Sequence, residues 1–231
     1  MKRSWFLVLF FLVSILHLAS LQGAWAWLES FTKPLIVLSL LGYYLLNAPT
    51  RSFIFILALA FCCLGDSLLL FQAGNEMFFI LGLGSFLVAH IFYIVSYRQH
   101  CFIQPGTETM GTKKVRLAFP VVLAGTGLVV VLLPSLGVLK IPVMMYALIL
   151  TLMVVSAIFR LGRTSATSFW MVLSGALLFM VSDSLLATNK FLNPLAHASL
   201  WIMVTYCAAL FFIVEGTRRH ALVIETSDRN Q

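Results

Sequence analysis

Long apolar runs alternate with short polar breaks along the whole chain. A helix that crosses the hydrocarbon core of a bilayer needs about 20 mostly apolar residues. Lipid offers no partners to open backbone groups, so each run is predicted to form a helix. The eight predicted spans are residues 4–22, 31–47, 53–71, 76–97, 117–134, 141–160, 168–187 and 197–215.

The breaks between the runs are short and carry turn-forming residues, such as Asn47-Ala48-Pro49 and Asn193-Pro194. The one longer connection, residues 98–116, is polar and contains Pro105 and Gly106. No stretch is left for a soluble domain. We therefore predict an all-α bundle of about eight transmembrane helices, with residues 1–231 forming a single integral membrane domain.

Composition supports this class and excludes others. Hydrophobic residues make up 61% of the chain and charged residues only 10%, against roughly a quarter charged in a soluble domain. The net charge of +7 could indicate a protein that binds nucleic acid. However, the basic residues lie at loop ends between apolar runs and form no solvated basic face, so we expect no nucleic-acid partner.

The basic residues also predict an orientation. With the N-terminus in the cytoplasm, twelve of the fifteen fall on the inner side and three on the outer side, as the positive-inside rule requires. The three outer ones are Lys33, Lys140 and Lys190. Both termini are then cytoplasmic, and the compact loops suggest a bacterial inner membrane.

The first run, followed by Ala24-Trp25-Ala26, could be a signal peptide, but its length favours a retained first helix.

Two similar segments place an aspartate in each half of the chain. Gly65-Asp66-Ser67-Leu68-Leu69 closes the third span, and Ser182-Asp183-Ser184-Leu185-Leu186 closes the seventh. The seventh span is four spans after the third, so the two cross the membrane in the same direction and both aspartates should lie at similar depth. This pattern suggests a parallel 4+4 internal repeat, although chance similarity between leucine-rich helices is the alternative.

Ionisable residues inside a span are costly and usually face the interior of the bundle. Two carboxyl groups that share a site of low dielectric can hold one proton between them, so that one acts as acid and the other as base. Asp66 and Asp183 are therefore candidates for acid–base catalysis on a lipid. Three alternatives remain open: a proton or cation carrier, a non-catalytic scaffold, and carboxyls that merely bond a neighbouring helix.

Other polar residues lie in or beside the spans. Gly82, Phe86, His90 and Tyr93 share one face of the fourth span, which indicates either a functional face or close packing against another helix. Lys33, before Pro34 at the expected start of the second span, and Asn189-Lys190 could contact a phosphate headgroup. Interfacial snorkelling of the two lysines is the competing interpretation.

The sequence carries no motif for a metal, a phosphate-binding loop or a nucleophile elbow. Its four cysteines form no CxxC pair. We accordingly predict neither metal nor cofactor, and no obligate protein partner is evident.

Taken together, these motifs resemble the YhhN family, also called the TMEM86 or lysoplasmalogenase family, over nearly the whole chain. The resemblance rests on Thr32-Lys33-Pro34-Leu35, Gly65-Asp66 with Leu69-Leu70, Gly82, Phe86, His90, Tyr93, Tyr146, Ser182-Asp183 with Leu186-Ala187, Asn189-Lys190-Phe191, and Thr205-Tyr206. Family members often carry a second tyrosine after the one that matches Tyr206 and a glutamine shortly afterwards. Here those positions are Cys207 and Leu210.

The resemblance implies an eight-helix hydrolase that cleaves the vinyl ether bond of lysoplasmalogens into a fatty aldehyde and a glycerophospho-base. It implies Asp66 and Asp183 as the catalytic acid–base pair, with either in either role. It further implies a lysophospholipid and the surrounding bilayer lipid as the partners. The substrate-binding residues would be Lys33, His90, Tyr93, Asn189, Lys190 and Tyr206.

Overall fold

A computed structural model describes residues 5–23, 25–72, 74–99 and 111–228, and within these ranges the regular structure is entirely helical. The eight predicted helices are confirmed. They are α1 (Trp5–Gly23), α2 (Ala26–Asn47), α3 (Phe53–Leu69), α4 (Glu76–Gln99), α5 (Gly111–Leu132), α6 (Lys140–Ile158), α7 (Ala166–Phe191) and α8 (Ala198–Asp228).

Six of these helices are long and apolar enough to cross a membrane, namely α1 and α4 to α8. The two exceptions are α3, which has only 17 residues, and α2. The first half of α2 carries Glu29, Thr32 and Lys33, and α3 carries Asp66. Polar residues interrupt the apolar pattern of a transmembrane helix where they belong to a functional site, so the polar residues of α2 and α3 indicate such a site.

The start of α2 corrects one detail of the sequence prediction. Pro34 was expected in the first turn, but α2 begins at Ala26, so the proline lies inside the helix. Lys33 accordingly lies within α2 rather than at its end. Its side chain is only 16% exposed, so it does not simply reach out to the membrane surface.

The connections agree with the predicted turns where they are described. Between α5 and α6 the chain makes two 3₁₀ turns, Leu133–Ser135 and Gly137–Leu139. Gly137 has φ of +50°, a left-handed conformation that a residue without Cβ adopts at little cost. Most of the predicted polar connection 98–116 lies outside the described residues, because α4 ends at Gln99 and α5 begins at Gly111.

Glycines let α3 and α4 approach closely, as the small residues of the fourth span predicted. A Cβ on Gly82 would lie 2.9 Å from Leu69 Cδ2, and a Cβ on Gly65 would lie 2.7 Å from the Phe86 ring. This contact brings the Phe86 ring of α4 against the residue that precedes Asp66.

The first helix packs as part of the bundle. The ring of Phe10 stacks on Phe211 of α8 with the centroids 6.2 Å apart. His17 Nδ1 lies 2.8 Å from Thr32 Oγ1 of α2. These contacts join α1 to both α2 and α8.

A buried carboxylate ties α2 to α8 at the end of the bundle remote from the aspartates. Glu215 accepts hydrogen bonds from Tyr43 Oη at 3.0 Å and from Arg218 Nη2 and Arg219 Nε at 2.7 Å each. Arg218 also lies over the ring of Tyr43, with its Cζ 5.6 Å from the ring centroid.

Removing this carboxylate is expected to loosen the α2–α8 contact. Hydrogen bonds to charged groups contribute about 1.5–3 kcal/mol each, and the two arginine donors are partly exposed, so Glu215→Ala should lower the free energy of unfolding by about 2 kcal/mol. Thermal unfolding in detergent measures the change. Glu76→Ala, at an exposed carboxylate, is the matched control, and equal melting temperatures for the two variants would contradict the assignment.

Candidate active site

A cavity of about 250 Å³ lies between α1, α2, α3, α7 and α8, with Phe86 of α4 in its wall. Both aspartates line it. The lining residues are His17, Leu21, Glu29, Lys33, Asp66, Leu69, Leu70, Gln72, Phe86, Ser182, Asp183, Leu186, Ser199, Ile202, Met203 and Tyr206. The cavity thus brings together two carboxyls separated by more than a hundred residues of sequence, as the paired-aspartate hypothesis required.

Asp66 is almost completely buried, at 2% exposure. Tyr206 Oη donates a hydrogen bond to its Oδ2 at 2.7 Å. Lys33 Nζ lies 4.0 Å from its other oxygen, Oδ1. A hydroxyl donor and a cation on opposite oxygens are interactions that favour a carboxylate anion.

Asp183 has a different environment. Tyr146 Oη donates a short hydrogen bond of 2.5 Å to its Oδ2, and no cation lies within salt-bridge distance of it among the described residues. A second cavity of about 40 Å³ opens on its other side, with walls that include Leu83, Leu132 and Val143. Asp183 therefore lies between a polar cavity and an apolar one.

An aromatic layer supports both tyrosines from behind. Phe179 makes edge-to-face contacts with Tyr206, at 5.4 Å between centroids, and with His90, at 4.8 Å. His90 in turn contacts Tyr146 at 5.4 Å. Such packing holds each phenol in one orientation toward its carboxyl.

Of the eight residues predicted for the site, Lys33, Asp66, Asp183 and Tyr206 line the main cavity. His90 and Tyr93 do not line it. Both are fully buried in the core. His90 contacts the aromatic layer, and Tyr93 Oη lies 3.7 Å from Cys62 Sγ.

Asn189 and Lys190, predicted to hold the phosphate, also lie away from the cavity wall. Asn189 Oδ1 accepts a hydrogen bond from the backbone N–H of Leu195 at 2.9 Å, which shapes the turn after α7. Lys190 is exposed, and its Nζ lies 5.1 Å from the centre of the Phe79 ring. Their role in binding stays a prediction.

Six polar residues of the site were not among the predicted site residues: His17, Glu29, Gln72, Ser182 and Ser199 in the cavity wall, and Tyr146 as the partner of Asp183. Tyr146 was visible as a motif position but had no assigned contact. The signal for His17 was its place between Ser14 and Ser20 on one face of an otherwise apolar helix. Nothing in the sequence marked Ser199.

The described residues contain no group of three or more histidine, cysteine or acidic side chains that could hold a metal ion. The donors around the two aspartates are hydroxyls and an ammonium group. Such a donor set is suited to moving protons and to binding polar groups of a ligand.

Comparison with known proteins agrees with this architecture. The model of the YhhN family matches residues 28–217. Human lysoplasmalogenase TMEM86B is 32% identical over 197 residues, covering 84% of this chain and 77% of the relative. Bovine lysoplasmalogenase TMEM86A is 32% identical over 174 residues, covering 74% and 67%. No solved structure matches the chain. The chain, an integral multi-pass membrane protein with both motif aspartates in one cavity, belongs to the YhhN family.

Proposed function

We propose that this protein is a lysoplasmalogenase-like hydrolase that cleaves the vinyl ether bond of lysoplasmalogens within the membrane. One observation carries the proposal: Asp66 and Asp183 line a single cavity in a chain whose relatives are named lysoplasmalogenases. The substrate is an amphiphile, and the site offers a polar cavity beside an apolar one.

Vinyl ethers react by protonation at carbon. A carboxylic acid delivers a proton to the alkenyl carbon that is not bonded to oxygen, and the electron pair of the double bond forms the new C–H bond. The remaining carbon and the ether oxygen then share a positive charge as an oxocarbenium ion. A neighbouring carboxylate stabilises this cation because its negative charge lies beside the positive charge that develops.

Water completes the hydrolysis. Its oxygen bonds to the oxocarbenium carbon while the second carboxylate accepts its proton, which gives a hemiacetal. The hemiacetal hydroxyl then returns a proton to the first carboxyl, and the second protonates the leaving glycerol oxygen as the carbon–oxygen bond breaks. One water is consumed, a fatty aldehyde and a glycerophospho-base leave, and both carboxyls regain their starting states.

We assign the acid to Asp183 and the base to Asp66. Lys33 and Tyr206 both support negative charge on Asp66. Asp183 has a hydroxyl donor but no cation within salt-bridge distance among the described residues, and an apolar cavity lies beside it, so its charged form has less support than that of Asp66. Because Oδ2 accepts from Tyr146, the proton of the acid belongs on Oδ1. No metal or organic cofactor takes part in these steps.

The tyrosines are expected to orient the carboxyls. Loss of one hydrogen bond to a charged or reacting group costs about 1.5–3 kcal/mol, so Tyr206→Phe and Tyr146→Phe should each lower kcat by about 10- to 100-fold. Tyr93→Phe is the matched control, since Tyr93 is equally buried and lies off the cavity. It should retain kcat within about twofold, and an equal loss in all three variants would contradict the positioning role.

We further propose that both termini face the cytoplasm, that the two aspartate segments descend from a 4+4 repeat, and that the membrane is a bacterial inner membrane. The asymmetry of basic residues and the two Asp-Ser-Leu-Leu segments support the first two proposals. Labelling of single cysteines placed in the α2–α3 and α7–α8 connections of intact cells tests the orientation.

The direct test of function uses the purified protein in detergent or nanodiscs with a lysoplasmalogen. Release of one fatty aldehyde for each glycerophospho-base is the expected result, with a saturated ether lysolipid as the unreactive control. A protein that is folded by size-exclusion chromatography and circular dichroism but releases no aldehyde would overturn the proposal. The names of the relatives describe an enzyme and give no support to proton- or cation-coupled transport. Uptake of protons or cations into proteoliposomes without cleavage of lipid would favour the transporter instead.

A further inference from the structure

His17 is a polar residue of the cavity that the proposed reaction does not use. It lies on α1, outside the segment matched by the family model, which begins at residue 28. The side chain is 1% exposed and yet lines the cavity that contains both aspartates. The cavity wall therefore contains a buried histidine whose ring can meet a bound ligand.

The hydrogen bonds of Thr32 determine which nitrogen of His17 carries the proton. Thr32 Oγ1 lies 2.7 Å from the carbonyl oxygen of Leu28 and 2.8 Å from His17 Nδ1. A carbonyl cannot donate, so the single hydroxyl proton of Thr32 lies toward Leu28. The hydroxyl oxygen must therefore accept from His17, and the proton of the neutral imidazole is on Nδ1.

The other nitrogen is then available to a ligand. In the neutral imidazole with its proton on Nδ1, Nε2 carries a lone pair and can only accept a hydrogen bond. Nε2 makes no hydrogen bond with the described residues. The hydrogen bond from Nδ1 to Thr32 Oγ1 holds the ring in one orientation.

We propose that His17 Nε2 accepts a hydrogen bond from the free secondary hydroxyl of a lysolipid bound in the cavity. This inference rests on the proposed function and names the feature of the substrate that the site selects. The hydroxyl is next to the ether-bearing carbon of the glycerol, so it enters the cavity together with the reacting bond. The two aspartates carry the reacting protons, and His17 Nε2 is an uncharged acceptor in the same cavity wall.

The same geometry selects against lipids that carry a second acyl chain. An ester at that carbon has no proton to give, so its oxygen would meet the lone pair of Nε2, two acceptors in contact in a desolvated site. Sites built to bond a hydroxyl reject analogues that lack it strongly, because the buried protein group loses its partner. His17 is thus a specificity-determining residue.

A substrate–variant cycle tests the contact. The two substrates are a choline lysoplasmalogen and its 2-deoxy analogue, in which hydrogen replaces the secondary hydroxyl. The proteins are wild type and His17→Leu. With the lysoplasmalogen, His17→Leu should lower kcat/KM by about 10- to 100-fold, as the loss of one buried partner predicts. With the 2-deoxy analogue, the variant and wild type should agree within about threefold.

The results distinguish a failure of this inference from a failure of the proposed function. An equal loss on both substrates means that His17 does not bond the hydroxyl and overturns the inference, whereas absence of turnover by wild type overturns the proposed function instead. His17→Gln, which keeps an acceptor, should recover part of the loss.

If His17→Leu does not fold, Thr32→Val replaces it in the test. This change removes the oxygen that accepts the Nδ1 proton of His17 and leaves the imidazole ring in the protein. It should weaken turnover of the hydroxyl substrate only, and no effect on either substrate would overturn the inference.

Discussion

Asp183→Asn should reduce aldehyde release from a lysoplasmalogen by about 10³- to 10⁴-fold, and Asp66→Asn by about 10²- to 10³-fold, within the range for general acid and base groups. The order follows from the assignment, because protonation at carbon is the difficult step and Asp183 supplies the proton. Asparagine keeps the size of the side chain and can still accept from Tyr146 or Tyr206. The bundle should therefore remain folded.

Initial rates of aldehyde formation measure both changes, with size-exclusion profiles as the check on folding. Glu76→Gln is the matched control, since this exposed carboxylate lies at the start of α4 and away from the cavity. Its rate should stay within about twofold of wild type. A larger loss at Asp66 than at Asp183 would reverse the acid–base assignment, and undiminished turnover by both folded variants would remove the aspartates from the mechanism.

Lys33→Met should lower kcat by about 10- to 100-fold with a smaller change in KM. Lys33 Nζ lies 4.0 Å from Asp66 Oδ1, and the side chain of the lysine is 16% exposed against 3% for the side chain of the aspartate. Without the cation, the charged form of a buried carboxyl loses its main support, so fewer molecules hold Asp66 ready to accept a proton. Lys33→Arg keeps the charge and should recover part of kcat.

Steady-state kinetics separate this role from phosphate binding. A lysine that only holds the headgroup would raise KM and leave kcat unchanged when replaced, and that pattern would contradict the pairing with Asp66. Lys190→Met is the matched control. Lys190 lies over the Phe79 ring, outside the cavity wall, so its replacement should leave kcat unchanged.

The helical architecture could be predicted because it depends on local information. Lipid satisfies no backbone groups, so each apolar run had to be a helix, and all eight were predicted to within a few residues at most ends. The largest errors were at polar ends: α8 ends at Asp228 rather than at residue 215, and α5 begins at Gly111 rather than at residue 117. The start of α2 was placed five residues late, because Glu29 and Ser30 interrupt the apolar pattern while the helix continues through them.

The pairing of Asp66 with Asp183 was also predictable, since an even number of spans returns the chain to the same end of the bundle. The hydrogen-bond partners were not. Tyr206 and Tyr146 reach the two carboxyls from α8 and α6, across 140 and 37 residues of sequence, and no periodicity encodes which way a side chain on one helix faces another.

Some of the residues that motifs predicted for the site line the cavity, and others lie outside it. His90 shares a helix face with Phe86, but only Phe86 reaches the cavity, while His90 lies behind it against Phe179. The sequence by itself therefore determined the class of protein, the helices and the two acidic residues, because these follow from the solvent and from spacing along the chain. Only the tertiary structure decided which side chains meet at the cavity, because the packing and rotation of helices depend on contacts between residues far apart in the chain.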